Sequence, residues 1–263
     1  MSDRPLILLT NDDGFRAPGL AAMVAALEPR ASVVVIAPRE EQSACSHKFT
    51  LGRALRMRRK GEGRFSLDGT PSDCVYLGIY GGERILPRRP DLVISGLNAG
   101  PNLGLDTYYS GTVAGAREAA MRGVTGMAVS ADVHANLDRA AGVCANLAFH
   151  LLAALDGRPD ALVLNVNVPA GGSWALRRTR LGRRTYGDGV EFRKDPRGRE
   201  YLWLGGPGGA RDDLTPGTDT HAMHHGEIGV THLPLIPSEE AADALVDEVL
   251  RAAESQDNGG SVS

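Results

Sequence analysis

The chain has 263 residues, a formal charge of −3, 42% apolar residues and 23% charged ones. That length predicts one or two domains, and the composition excludes a mostly disordered chain. The acidic balance argues against nucleic acid as a partner, since duplex binders usually carry a basic excess. No apolar run reaches the roughly 18 residues that a membrane span needs. The first apolar run, Leu6–Leu9, is too early and too short for a secretory signal, so the expected address is the cytoplasm.

In chain order, the apolar run Leu6–Leu9 reads as a strand that ends in polar TNDDG, and Ala17–Leu27 as a helix with Pro18 in its first turn. Val33–Pro38 is a second, β-branched strand. Phe49–Leu67 alternates and predicts a hairpin turning at Lys60–Gly63. Ser72–Tyr80 reads as helix, Leu92–Gly96 as strand, Thr112–Arg122 as helix and Gly126–Ser130 as strand. His134–Leu155 and Leu162–Pro169 follow as helix and strand. Continuous apolar strands alternating with helices predict a doubly wound, mostly parallel sheet with both faces covered, an α/β fold. Gly171–Gly209, rich in Gly and Arg, reads as an excursion from the core sheet: a small subdomain or an oligomerisation arm. Gly226–Leu235 is a last strand candidate. Ser238–Glu254 predicts a closing helix with Ser238 as N-cap, and Ser255–Ser263 a disordered tail. The expected organisation is one α/β domain over 1–254, with 171–235 as arm excursion and closing strand. Cys45, Cys74 and Cys144 form neither a disulfide framework nor a metal-binding spacing, and read as buried thiols.

In open parallel sheets, ligands bind beyond the carboxyl ends of the strands. The loops expected there carry Asn11, Asp12, Asp13 and Gly14 after the first strand, Ser43 after the second, and Asn98 after the third. Adjacent carboxylates repel, and a divalent cation removes that penalty. Alone, DDG reads more often as a turn than as a metal site. In company with the Ser43 hydroxyl and the Asn98 side-chain oxygen, it makes an all-oxygen set suited to Mg2+ or Mn2+. The third loop, Gly96–Thr112, is rich in Gly, Asn and Ser, and YSGT opens a helix whose N-terminus suits an anion. Neither GxxxxGK[ST] nor GxGxxG occurs. A cation facing an anion pocket predicts phosphoryl chemistry, with Ser110, Gly111 and Thr112 holding a phosphate.

The segments TNDDGFRAPGL, APREEQSACSH, GTPSDCV, SGLNAGPNLGLDTYYSGTVAGAREAA, LNVNVP and DPRGREYLWLGG together resemble the SurE family of metal-dependent 5′-nucleotidases, in order, from about Leu6 to about Leu235. The resemblance implies a Rossmann-like core, swapped arms in a homodimer or tetramer, and hydrolysis of nucleoside monophosphates, with short polyphosphate as a further substrate. It implies one divalent cation per subunit on Asp12, Asp13, Ser43 and Asn98, with Asp12 and Asp13 catalytic. Asn98, Ser110, Gly111 and Thr112 fall on the family's phosphate pocket. Departures come late: GVTHLPL inserts His232, and His221 stands where an aromatic residue is common. They bear on base preference and assembly. Two other classes stay open, a metal-dependent nucleotide transferase and a non-catalytic nucleotide or phosphate sensor.

Weaker features have plain readings. His221 and His225 share a helix face, but the sequence places no carboxylate partner beside them. His47, four residues after Ser43, is a candidate general acid. The basic runs Arg56–Lys60 and Arg177–Arg184 read as solvated faces, and Asp73 and Cys74 as a structural helix start.

Overall fold

A computed structural model of the chain describes residues 4–155, 161–187, 189–205 and 209–236. The predicted closing helix and tail lie outside them. The described residues up to Leu233 form one compact unit.

The first half alternates β1 (Leu6–Thr10), α1 (Pro18–Leu27), β2 (Ser32–Pro38), β3 (Met57–Gly61), β4 (Arg64–Leu67) and α2 (Pro71–Tyr80). Next come β5 (Leu92–Ala99), α3 (Asp106–Tyr109), α4 (Gly111–Met121), β6 (Gly126–Ala131), α5 (Leu137–Ala154) and β7 (Val163–Val168). The remainder holds β8 (Leu176–Thr179), β9 (Arg184–Thr185), β10 (Val190–Lys194), β11 (Glu200–Leu204), β12 (Arg211–Asp212), α6 (Asp219–His224) and β13 (Ile228–His232). One nine-stranded sheet runs β3-β4-β2-β1-β5-β6-β7-β13-β8. Its central pairings are parallel, while β3 on β4 and β13 on β7 are antiparallel.

Each central strand buries both faces, as its unbroken apolar run predicts. In β1, Ile7 and Leu9 face a core shared with α1 and α5, while Leu6 and Leu8 face one shared with α2. The helices carry local start signals. Thr70 and Asp73 exchange bonds in a capping box that opens α2, and Asp73 also takes the Thr50 amide and hydroxyl. Asn136 caps α5.

Three predicted outlines change. The hairpin is confined to β3 and β4, with 49–56 outside regular structure. The third loop is shorter than the sequence suggests, because β5 continues to Ala99 and α3 forms inside it. Four residues of DTYY are too few for a helical period to show. The excursion gives a strand back to the core, since β8 pairs in parallel with β13. The rest forms the β10–β11 hairpin and the β9–β12 pair. Cys74 and Cys144 are buried, whereas Cys45 is only half-buried.

Candidate active site

Strand order sets the location. From β1 the chain moves outward through β2 and β4, then returns to β5 on the other side of β1. That reversal opens a crevice beyond the carboxyl ends of β1 and β5, the usual ligand position in open α/β sheets. A cavity of about 1060 Å³ lies there, and Asp12, Asp13, Ser43, Asn98 and Ser110 all line it.

Asp12 is 4% exposed. The Thr112 hydroxyl donates to Asp12 Oδ1, and the Thr112 backbone N–H also bonds the carboxylate. The anion held at the N-terminus of α4 is therefore Asp12 itself. Gly111 makes the approach possible, since a Cβ there would sit 2.9 Å from both Asp12 Oδ2 and Cys45 Sγ. Burial pushes the Asp12 pKa up to about 6, and the neighbouring Asp13 charge adds to the rise against the Thr112 bonds. Burial also raises Asp13, as does the charge on Glu41, while the Ala99 N–H donates to Asp13 Oδ2 at 3.1 Å and opposes this.

The other two oxygens come from neighbouring loops. A register shift in β5 between Ser95 and Asn98 precedes the strand's last turn. There Asn98 Nδ2 donates to the Gly100 carbonyl at 2.7 Å, leaving Oδ1 to accept. Ser43 is exposed, and its hydroxyl donates to Glu41 Oε1 at 2.7 Å. Its loop is tied down on both sides of Ser43. The Gln42 N–H donates to the Asp12 carbonyl at 2.7 Å, and the Ser46 N–H to the Tyr109 carbonyl at 2.9 Å. His47 extends the anchor, with Nε2 2.8 Å from Glu118 Oε2. Glu118 is buried and also takes Arg122 Nε at 2.8 Å. His47 is thus paired to α4 and is not among the cavity-lining residues.

The donor set fits a hard divalent cation. Five carboxylates line the cavity (Asp12, Asp13, Glu41, Asp106 and Asp132) against one guanidinium, Arg184. A phosphate dianion entering such a field is repelled unless a cation comes with it. Among the described residues no three His, Cys, Asp or Glu side chains converge on one point. A cation here needs the Ser43 and Asn98 oxygens to complete its shell, which suits Mg2+ or Mn2+ better than zinc.

Gly111 and Thr112 are not among the lining residues, and Thr112 is fully buried against Asp12. Tyr109, Thr185 and Tyr186, which the sequence does not single out, also line the cavity, as does Arg184. Thr185 and Tyr186 sit in the excursion, far along the chain from the strand-end loops, and no local pattern marks them, whereas Arg184 ends the basic run that reads as a solvated face and instead lines the cavity, 3.0 Å from Asp212. Tyr186 Oη donates to Asp106 Oδ2 at 2.7 Å. The His221 and His225 rings stack at 4.0 Å. Contrary to the sequence reading, a carboxylate does stand near them. Glu227, held well ionised by Arg177, stands close enough to both histidines to interact with them.

Fold and cavity define a doubly wound α/β protein with an acidic, oxygen-lined crevice at its switch point. The model of the family described as Survival protein SurE matches residues 7–188. The chain belongs to that family. The 5′-nucleotidase SurE of Sorangium cellulosum (strain So ce56) is 56% identical over 234 residues, covering 88% of this chain and 90% of that protein. The 5′-nucleotidase SurE of Syntrophotalea carbinolica is 48% identical over 232 residues, 88% of this chain and 91% of that one. The crystal structure of the SurE protein from Aquifex aeolicus superposes with a TM-score of 0.78 at 35% identity, covering 93% of this chain and 99% of that one.

Proposed function

We propose that this chain is a divalent-cation-dependent phosphomonoesterase that hydrolyses nucleoside 5′-monophosphates to nucleoside and phosphate, with short polyphosphate as a further substrate. The observation that carries it is the Asp12–Asp13 pair, the first buried and the second half-buried, lining an acidic cavity together with Ser43 and Asn98. The 5′-nucleotidase names of relatives at 56% and 48% identity support the same reaction. One Mg2+ or Mn2+ per subunit would sit on Asp12, Asp13, Ser43 and Asn98. When bound, it would supply Lewis-acid polarisation of a phosphoryl oxygen.

The chain's own residues do the rest. Thr112 fixes the direction of the Asp12 carboxylate through two donors, and the Ala99 N–H fixes Asp13. Ser110 Oγ accepts the Val113 N–H at 3.1 Å, so its hydroxyl proton can go to a phosphate oxygen. Asn98 lines the same cavity, whereas Gly111 and Thr112 stand behind it, Gly111 giving room to Asp12 and Thr112 bonding it. The cavity is larger than phosphate requires. Leu105, Tyr109 and Tyr186 give the nucleoside an apolar and aromatic wall.

The same reading places the protein in the cytoplasm as a homodimer or tetramer. Supporting the assembly, Phe192, Leu202, Trp203 and Leu204 of the β10–β11 hairpin are all exposed, and apolar surface of that kind favours a partner. Among the described residues no helix is long and apolar enough to cross a membrane. Phosphate release from nucleoside monophosphates, with Mn2+, Mg2+ or chelator, tests the activity. Release that persists unchanged in chelator would defeat the metal dependence.

A further inference from the structure

Asp219 opens α6 and is 1% exposed, and it does not line the cavity. Burying a carboxylate is costly unless its oxygens are hydrogen-bonded. Three backbone N–H groups meet that need. Gly104 donates to Oδ2 at 2.9 Å, while Gly182 at 2.7 Å and Thr220 at 2.9 Å donate to Oδ1. The helix does not need Asp219 as its cap, because the Thr218 hydroxyl already accepts the His221 N–H.

The reach of the carboxylate is the informative part. Gly104 leads into Leu105, Asp106, Tyr109 and Ser110, all of which line the cavity. Gly182 leads into Arg184, Thr185 and Tyr186, which line it too. The two segments touch where Asp219 holds them. A Cβ on Gly104 would meet the Gly182 carbonyl at 2.6 Å. A second tie, Tyr186 Oη to Asp106 Oδ2, runs between the same segments.

We propose that Asp219 is a positioning residue for the substrate cavity. Its carboxylate clamps the Gly104 backbone to the Gly182 backbone, and so sets the wall that carries Ser110 and Tyr109 on one segment and Tyr186 on the other. This rests on the phosphomonoesterase reading of that cavity. The clamp needs a carboxylate, because both oxygens accept. Asn is nearly isosteric but accepts on one oxygen only. The orientation that keeps the Gly182 and Thr220 bonds turns the amide NH2 toward the Gly104 N–H, donor against donor.

Asp219→Asn tests this. The expected result is a KM for adenosine 5′-monophosphate raised about tenfold, as for loss of one charge-assisted bond. The Mn2+ concentration for half-maximal activity stays within about twofold, since no Asp219 bond touches Asp12, Asp13, Ser43 or Asn98. Amide exchange at Gly104 accelerates about tenfold while exchange in β1 does not change. An unchanged KM with only a smaller folded fraction would overturn the proposal, as would KM and the Mn2+ requirement rising together. If the wild-type protein releases phosphate from no ester, the functional reading fails, and Gly104 exchange in Asp219→Asn still decides the clamp. Should the variant not fold, the wild-type Gly104 amide decides it. Protection like that of core strands supports the clamp, and exchange as fast as in an exposed loop refutes it.

Discussion

Replacing Asp12 by Asn removes a charge that the metal-free fold resists. The native Asp12 pKa is raised to about 6 from 3.8, chiefly by burial. At about 1.36 kcal/mol for each tenfold change in proton affinity, the ionised carboxylate costs the metal-free native state about 3 kcal/mol. The sign follows from proton linkage. Below pH 3.8 the group is protonated folded and unfolded alike, and costs nothing. As pH rises toward about 6, the unfolded chain releases a proton that the native state keeps, and wild-type stability falls. Above that the whole penalty is present. Asn cannot ionise, and its Oδ1 can still accept the Thr112 hydroxyl. Urea unfolding in chelator, across about pH 4 to 8, should show Asp12→Asn gaining about 3 kcal/mol on wild type over that range. Excess Mn2+ should reverse the order, because it binds the native wild type and not the variant. A difference between the two proteins that does not change with pH would refute the reasoning.

Thr112→Val removes the hydroxyl from Asp12 but keeps the N–H. It should cost about 1.5–3 kcal/mol of Asp12 stabilisation, read as a Mn2+ requirement raised about tenfold or more. Gly111→Ala places a Cβ 2.9 Å from the Asp12 carboxylate and from Cys45 Sγ. It should destabilise by about 1–3 kcal/mol in thermal unfolding and suppress turnover, since Asp12 must move. Glu118→Ala strips a buried carboxylate from His47 and Arg122. Both side chains are partly exposed and can turn to water, so the expected loss in urea unfolding is about 1–3 kcal/mol. The Ser43 loop should also become more susceptible to protease.

The central sheet was legible because its strands are unbroken β-branched and apolar runs, and only a sheet covered on both faces requires them. The convergence of Asp12, Ser43 and Asn98 followed from that, since strand-end loops meet wherever their strands are neighbours. What stayed hidden depends on contacts distant in sequence. LRRT at β8 is basic and mostly exposed, so nothing local says that it joins the main sheet. The role of Thr112 depends on Asp12, a hundred residues away. A helix N-terminus announces an anion site but not which anion fills it. His47 looked catalytic because it follows Ser43, yet its partner is a buried glutamate on α4. Glu227 lies two residues past His225, but the chain turns between them, and no periodicity marks their approach.

The most direct test of the central claim is phosphate release by the purified protein from nucleoside monophosphates, 4-nitrophenyl phosphate and tripolyphosphate. It is run with Mn2+, with Mg2+ and with chelator, beside Asp12→Asn. The account predicts metal-dependent release that chelator removes and that Asp12→Asn lacks, although the variant stays folded. Release by Asp12→Asn equal to wild type, or none from the wild type with either metal, would contradict it.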